Sequence, residues 1–411
     1  MHNELFKYPA IVSRYRTGPY LEDRERFLRQ ASANGYSCST LERIAWVLLT
    51  VAESVHRNNG CVTVEHLKKL SLNVRLRNGR RPSAHSASLI LRFGEDWLRS
   101  IGRLRPEADA QPWFARELDA FTKYMRAERG LSPVTIATRQ ERMRWFFASL
   151  PSRVRSLGGV TIAQIDAYLE GEAHRGWGRS SMHALGSSLR SFFCYAAQQG
   201  WCSPNLALGI DLPRLYALED VPKAPTVDEV DRLLQASAAG SDTVTIRDHA
   251  ILSLLAQYGL RGGEVERLTL DDIDWVAETL HVTRPKLRQS QCYPLSPPVG
   301  DAILRYLREA RPRCAHRAVF LTIKAPFRPL SGASIGAMVR MRLTSQGVKL
   351  ARIGAHCLRH SCAGQLLNAG LSLKQIADHL GHRSLNSTRI YTKVDLRGLR
   401  EVADLDLGAL Q

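Results

Sequence analysis

In AHCLRHSCAGQLLNAGLSLKQIADHLGHRSLNSTRIYTKV, Ala355–Val394, a histidine and an arginine stand three residues apart, so on a helix His356 and Arg359 share one face. Gly370 fits the C-cap of that helix. Ser372 and Gln375 form a capping box for the next helix, and Gly381 ends it, which leaves His382 just past a helix terminus. Asn386 can cap a last helix that bears Tyr391. His382 follows Arg359 by 23 residues, and Tyr391 follows His382 by nine.

Working outward, QYGLRGGEVERLTLDDIDW, Gln257–Trp275, places Arg261 at a helix start just after a glycine turn. Alternating residues in Asp272–Trp275, Thr279–Arg284 and Gln289–Leu295 predict a small antiparallel sheet. Lys286, in RPKLR, falls near the tip of its hairpin. A capping box, Thr226 with Glu229, opens this region, and a helix spans Arg247–Gln257.

These residue types suit one chemistry. A phosphodiester is anionic, and attack on phosphorus adds charge that two forked guanidinium groups can bind. Such donors contribute most where charge develops and water is excluded. A tyrosine phenol has a reference pKa near ~10, so it needs a base or a strongly cationic site to attack. The departing ribose oxygen needs a proton, which a lysine on a hairpin or a histidine could supply. A phosphotyrosine product would store the bond energy, so neither ATP nor a divalent ion is required.

Each feature alone has a plainer reading. A single HxxR on a helix is usually a surface pair, a glycine-histidine after a helix is a C-cap, and a late tyrosine is half-buried packing. Their conjunction, in this order and spacing, outweighs those readings. Cys357 and Cys362 flank the HxxR helix and read as small core residues. The eight cysteines form no CxxC pair and show no zinc-like spacing.

Composition agrees with a polyanionic partner. The chain has 411 residues, with 57 Lys and Arg against 39 Asp and Glu, a net charge of +18. The start, MHNELFKYPA, lacks an apolar secretory region, and no stretch is apolar enough to span a bilayer. A cytoplasmic, nucleoid-associated protein without a metal is expected.

The remaining chain reads as helical. Ser39 with Glu42 is read as a capping box ahead of Ile44, Val47, Leu48 and Val51, and Thr63 caps a helix through Leu70. Arg75–Arg81 is a basic loop and Arg105–Pro112 a linker. Ser132-Pro133 starts a helix carrying Met143, Phe146, Phe147 and Leu150. Leu185, Leu189, Phe192, Phe193 and Ala196 form a second core stripe. Arg142, Arg144, Arg179 and Arg190 are candidate phosphate contacts. Asp211–Pro225 is an interdomain linker.

The boxes GLRGGE with LTLDDI, HCLRH, LGH and the late tyrosine resemble those of the tyrosine recombinases, or phage-type integrases, over Thr226–Asp395. The resemblance is weaker over Trp113–Leu212, and residues before about Arg105 match nothing in it. It implies a mainly α protein with a small antiparallel β-sheet in the catalytic domain. Residues 1–105 would be an extra N-terminal helical domain for DNA binding or assembly. Residues 110–213 would be a helical, SAM-like core-binding domain, and residues 222–411 an α+β catalytic domain. By motif, the catalytic set is Arg261, Lys286, His356, Arg359, His382 and Tyr391, with no cofactor and no metal. RPKLR departs from the glycine-flanked turn common in the family, which makes Lys286 the weakest match. Glu264 would support Arg261, and His360 would pack. Arg284 and Arg288 would contact phosphate or solvent.

The resemblance further implies a site-specific recombinase or integrase acting on double-stranded DNA sites. It would cut through a 3′-phosphotyrosyl intermediate, assemble as a homo-tetramer or with related recombinases, and pass through a Holliday junction to move a mobile element. The rivals are type IB topoisomerase-like relaxation, Xer-like dimer resolution, and a DNA architectural protein without catalysis. The tail Asp395–Gln411 could dock on a neighbouring protomer or pack on its own domain.

Overall fold

The computed structural model describes residues 1–58, 60–74, 83–105, 112–216, 224–284, 289–350, 353–381 and 388. The chain divides into two compact units, Met1–Arg105 with Asp220–Gln411, and Pro106–Glu219. Both are mostly helical, and the described strands form one small sheet, as the sequence predicts. The predicted basic loop lies outside the described residues, as do 106–111 of the first predicted linker and 217–223 of the second, whose described residues 211–216 hold no helix or strand.

The first unit begins with α1 (His2–Leu5), α2 (Pro9–Thr17), α3 (Leu21–Ala33), α4 (Cys38–Arg57), α5 (Val64–Asn73) and α6 (Ala84–Ser100). Ile44, Val47, Leu48 and Val51 recur at helical spacing on α4 and are fully buried with Trp97 of α6. The α4 cap is Ser37, so Ser39 lies inside the first turn and the expected Ser39–Glu42 box does not form. A run of small hydroxyl residues, Ser37, Ser39 and Thr40, makes the local register ambiguous, and Ser37 Oγ bonds the other two hydroxyls. Thr63 caps α5 as expected, its Oγ1 accepting from the His66 N–H at 3.2 Å, and α5 runs on to Asn73. The Phe327 N–H of the later segment donates to the Asn34 carbonyl at 3.1 Å, and the Phe327 ring fills the space over Gly35.

The second unit holds α7 (Ala115–Ala127), α8 (Pro133–Ser149), α9 (Ile162–His174), α10 (Arg179–Gln198) and α11 (Asn205–Leu208). The two predicted stripes, on α8 and α10, form its core, with Phe121, Phe146, Phe147, Phe192 and Phe193 packed edge to face. Two of the four candidate phosphate contacts are turned inward instead. Arg142 donates to the Ala184 carbonyl at 2.8 Å and to Ser188, and Arg190 donates to the Ile210 carbonyl. Arg142 braces α8 to α10 and Arg190 ties α10 to the segment after Leu208, because a half-buried guanidinium needs acceptors and carbonyls are nearest. Arg144 and Arg179 stay exposed, Arg179 beside the Tyr216 ring.

The first unit then continues with α12 (Val227–Ala238), α13 (Thr243–Tyr258), α14 (Gly262–Arg267), β1 (Ile273–Asp274), β2 (Thr279–Arg284) and β3 (Gln289–Pro294). Its last elements among the described residues are α15 (Pro297–Arg305), α16 (Gly332–Ser345), α17 (Ala355–Asn368) and α18 (Leu373–Leu380). Helix α13 is buried on nearly every side, so its sequence shows little amphipathic pattern. It starts at Thr243, four residues before the predicted Arg247, and its N-cap is Asp242, whose carboxylate accepts from the Val244 and Thr245 N–H groups. Buried Asp248 receives both Arg247 and Arg342 and so joins α13 to α16. The sheet order is β1-β2-β3, antiparallel, with Leu280 opposite Tyr293 and Arg284 opposite Gln289. On β2, Leu280, Val282 and Arg284 face inward while His281 and Thr283 face out.

Candidate active site

The site is built at the ends of α13, α14, α17 and α18. Helix α13 stops at Gly259, whose φ of 60° is the left-handed conformation that glycine adopts without strain. Two residues on, Arg261 is the N-cap of α14. Glu264, 4% exposed, accepts from both the Arg261 backbone N–H at 2.9 Å and its guanidinium at 2.7 Å. One carboxylate thus caps the helix and aims the arginine, the supporting role expected for Glu264. The arginine remains partly open to solvent.

His356 and Arg359 share a face of α17 as predicted. Arg359 is fully buried and donates to the Gly259 carbonyl at 2.6 Å and the Leu380 carbonyl at 2.6 Å. Arg261 donates to the next carbonyl, Gly381, at 3.4 Å. The two arginines of the predicted set therefore meet on adjacent carbonyls at the C-terminus of α18. Carbonyls there lack helical partners and carry the negative end of the helix dipole, so cations are favoured.

Arg284 contradicts expectation. It is neither a solvent nor a free phosphate contact, being 3% exposed. It donates to the Leu380 carbonyl, the His379 carbonyl and the Tyr293 hydroxyl, and Tyr293 in turn donates to the His379 carbonyl. Tyr293 and His379, absent from the predicted set, pack ring to ring at 5.3 Å. Strand alternation carries the signal for Arg284, which lies two residues beyond buried Val282. A Cβ on Gly381 would overlap the Arg284 guanidinium, and its φ is +60°, so glycine is required there twice over.

The electrostatics follow first from burial and then from this crowding of cations. Burial, then Arg359 and Arg261, lower the His356 pKa, although its ring keeps an open side to solvent. Burial, then His356 and Arg359, bring His360 down to about 4, and the two rings lie 4.6 Å apart. Burial, then Arg284 and Arg359, lower His379. These imidazoles are therefore neutral near pH 7. Burial pushes the Cys362 thiol up to about 11, which keeps it protonated and suits the core role expected of it. Lys286, Arg288, His382, Tyr391 and the tail Asp395–Gln411 lie outside the described residues. The arrangement can bind a phosphate oxygen at Arg261 and hold a neutral imidazole, His356, beside it.

An α+β unit with arginines clustered at helix ends, Arg261 among them partly open, and a neutral histidine beside it suits the handling of a phosphate. Comparison with known proteins makes the assignment specific. Residues 224–397 match the phage integrase family, and residues 118–200 match the phage integrase N-terminal SAM-like domain. A Sinorhizobium fredii protein with a provisional integrase/recombinase name, y4rA, is 37% identical over 301 residues, which are 72% of each chain. The tyrosine recombinase XerC of Alcanivorax borkumensis is 30% identical over 294 residues, covering 70% of this chain and 92% of XerC. The fold is similar to that of the XerH site-specific recombinase bound to a palindromic difH substrate. There the TM-score is 0.54 at 17% identity, over 83% of this chain and 94% of XerH. The chain belongs to the phage integrase family, the tyrosine site-specific recombinases of DNA.

Proposed function

We propose that this chain cuts and rejoins specific double-stranded DNA sites through a covalent bond to Tyr391. The observation that carries the reading is the meeting of Arg261 and Arg359 on the carbonyl end of α18, within the residues that match the family. Tyr391 attacks the scissile phosphorus, its phenol proton leaves, and the bond to the 5′ ribose oxygen breaks. Arg261 and His382 bind the non-bridging oxygens as charge develops, and Arg359, buried on the Gly259 and Leu380 carbonyls, stabilises that charge from behind. Lys286 protonates the departing 5′ oxygen, and neutral His356 takes or returns a proton. A partner strand's 5′-hydroxyl reverses the step. Residues 222–411 would carry catalysis, residues 110–213 would bind the duplex, and residues 1–105 would serve assembly or site choice. A tetramer on two sites, a Holliday junction and a mobile element complete the reading, with the protein at the nucleoid in the cytoplasm. The match to XerC and the fold of a DNA-bound recombinase support it.

The test is a nicked suicide oligonucleotide that traps the adduct. Wild type should yield a denaturation-resistant protein–DNA species, and Tyr391→Phe should yield none. An adduct formed by Tyr391→Phe, or mapped to another residue, refutes the assignment.

A further inference from the structure

The last turn of α18 is clamped from the hairpin side by three side chains outside the predicted set. Gln291 donates to the Asp378 carbonyl at 3.0 Å and the His379 carbonyl at 3.1 Å. Tyr293 donates to the His379 carbonyl, and Arg284 donates to the Leu380 and His379 carbonyls. Val282 lies opposite Gln291 and Leu280 opposite Tyr293, so both strands present these groups on one face. Burying a guanidinium is costly unless its donors are met, and an aliphatic chain would fill the same space without that cost. Here both terminal nitrogens of Arg284 meet neutral oxygens whose positions they fix, while its buried Nε has no partner among the described residues. The bonds join two pieces of chain with separate catalytic assignments, since Lys286 follows Arg284 by two residues and His382 directly follows Gly381. Burial raises the Tyr293 phenol to about 12, so it stays a hydrogen-bond donor throughout the neutral range.

We propose that Arg284, backed by Tyr293, is a positioning residue for DNA cleavage that fixes the strand leading to the proton donor against the carbonyl end of α18. It rests on the reading of Tyr391 as nucleophile and Lys286 as proton donor. A loosened hairpin should impair protonation of the leaving oxygen before it impairs DNA binding. That dependence is readable, because a sulfur leaving group departs as a thiolate, a far weaker base than an alkoxide, and needs no proton.

The experiment measures single-turnover adduct formation by the full chain on two suicide substrates. One is an ordinary phosphodiester, and the other carries sulfur in place of the scissile 5′ bridging oxygen. Arg284→Met should slow cleavage of the ordinary substrate by about 10-fold or more, part of the 10²–10⁴-fold that general acids supply. On the sulfur substrate it should come within about 3-fold of wild type, with DNA affinity unchanged. Arg284→Lys, which keeps the charge without the fork, should recover part of the loss. Tyr293→Phe removes one oxygen and should show the same leaving-group dependence, and it decides the matter if circular dichroism finds Arg284→Met unfolded. Equal defects on both substrates, or no defect in either variant, overturn the proposal. Failure of wild type on both substrates, or an adduct by Tyr391→Phe, overturns the underlying reading instead, and the proposal with it.

Discussion

His360 stands one turn beyond His356 on α17 and shares Arg359 with it, and its pKa near 4 links stability to pH. Unfolded, the ring titrates near the ordinary 6.5. Between these values the unfolded chain binds more protons than the folded one, so stability falls as pH drops through that window. From 6.5 to about 4 the loss from this residue is at most about 3 kcal/mol, and His356 and His379 act in the same direction. Above pH 6.5 the contribution is flat. His360→Gln should therefore flatten the decline, by about 2–3 kcal/mol at pH 4.5, in urea unfolding at pH 7.5, 5.5 and 4.5. An unchanged slope would show that His360 is not the buried base. At this scale Arg261, His356 and Arg359 could be read from motif spacing, because each sits at a helix end or on a helix face marked by glycine or capping residues. Charge alone points Arg284 to solvent or phosphate, and its place in the strand overrides that. The inward parity of Leu280 and Val282 extends to it, and in a short sheet that parity outranks the general preference of arginine for solvent.

Helix starts show the same contest between local chemistry and register. The Thr226–Glu229 and Ser372–Gln375 boxes form as predicted because each is followed by a clear apolar period that fixes its frame. The Ser39–Glu42 pair has the same composition, yet Ser37 is the cap, two residues earlier. Hydroxyl residues on both sides of the boundary leave pattern reading without a way to choose between them. The difference is measurable. Thr226→Ala removes an acceptor that holds the Glu229 N–H and should cost about 1 kcal/mol. Ser39→Ala changes an exposed position inside α4 and should be within about 0.5 kcal/mol of neutral. Thermal or urea unfolding of the two variants checks the pair, and a Ser39→Ala loss as large as that of Thr226→Ala would restore Ser39 as the cap. The buried faces of α13 illustrate a different limit. A helix surrounded by apolar neighbours has no polar side to mark its phase, so its first turn was missed.

On the scale of the whole chain, the first 105 residues have their own core, centred on α4 and α6, separate from those of the later segments. Periodicity made that segment legible as helices, but nothing in its pattern announced the contact made by Phe327, because such a contact joins residues almost three hundred positions apart. Asn34 and Gly35 follow α3, and Phe327 reaches them from the segment between α15 and α16. This contact alters what a truncation beginning at Ala110 should do. The core of the later segment does not draw on residues before 105, so the truncated chain should fold and still form the tyrosine adduct on a short core-site oligonucleotide. It should nonetheless lose about 1–3 kcal/mol of stability, the scale of uncovering one phenylalanine. Phe327→Ala in the full chain should reproduce that loss without removing the other surfaces of residues 1–105. If residues 1–105 serve assembly or site choice, the truncation should abolish recombination between two sites while Phe327→Ala should weaken it only in proportion to stability. Recombination by the truncated chain at the full-length rate would show that these residues are dispensable for strand exchange, and an unchanged unfolding midpoint in both variants would show that the Asn34–Phe327 contact carries no energy.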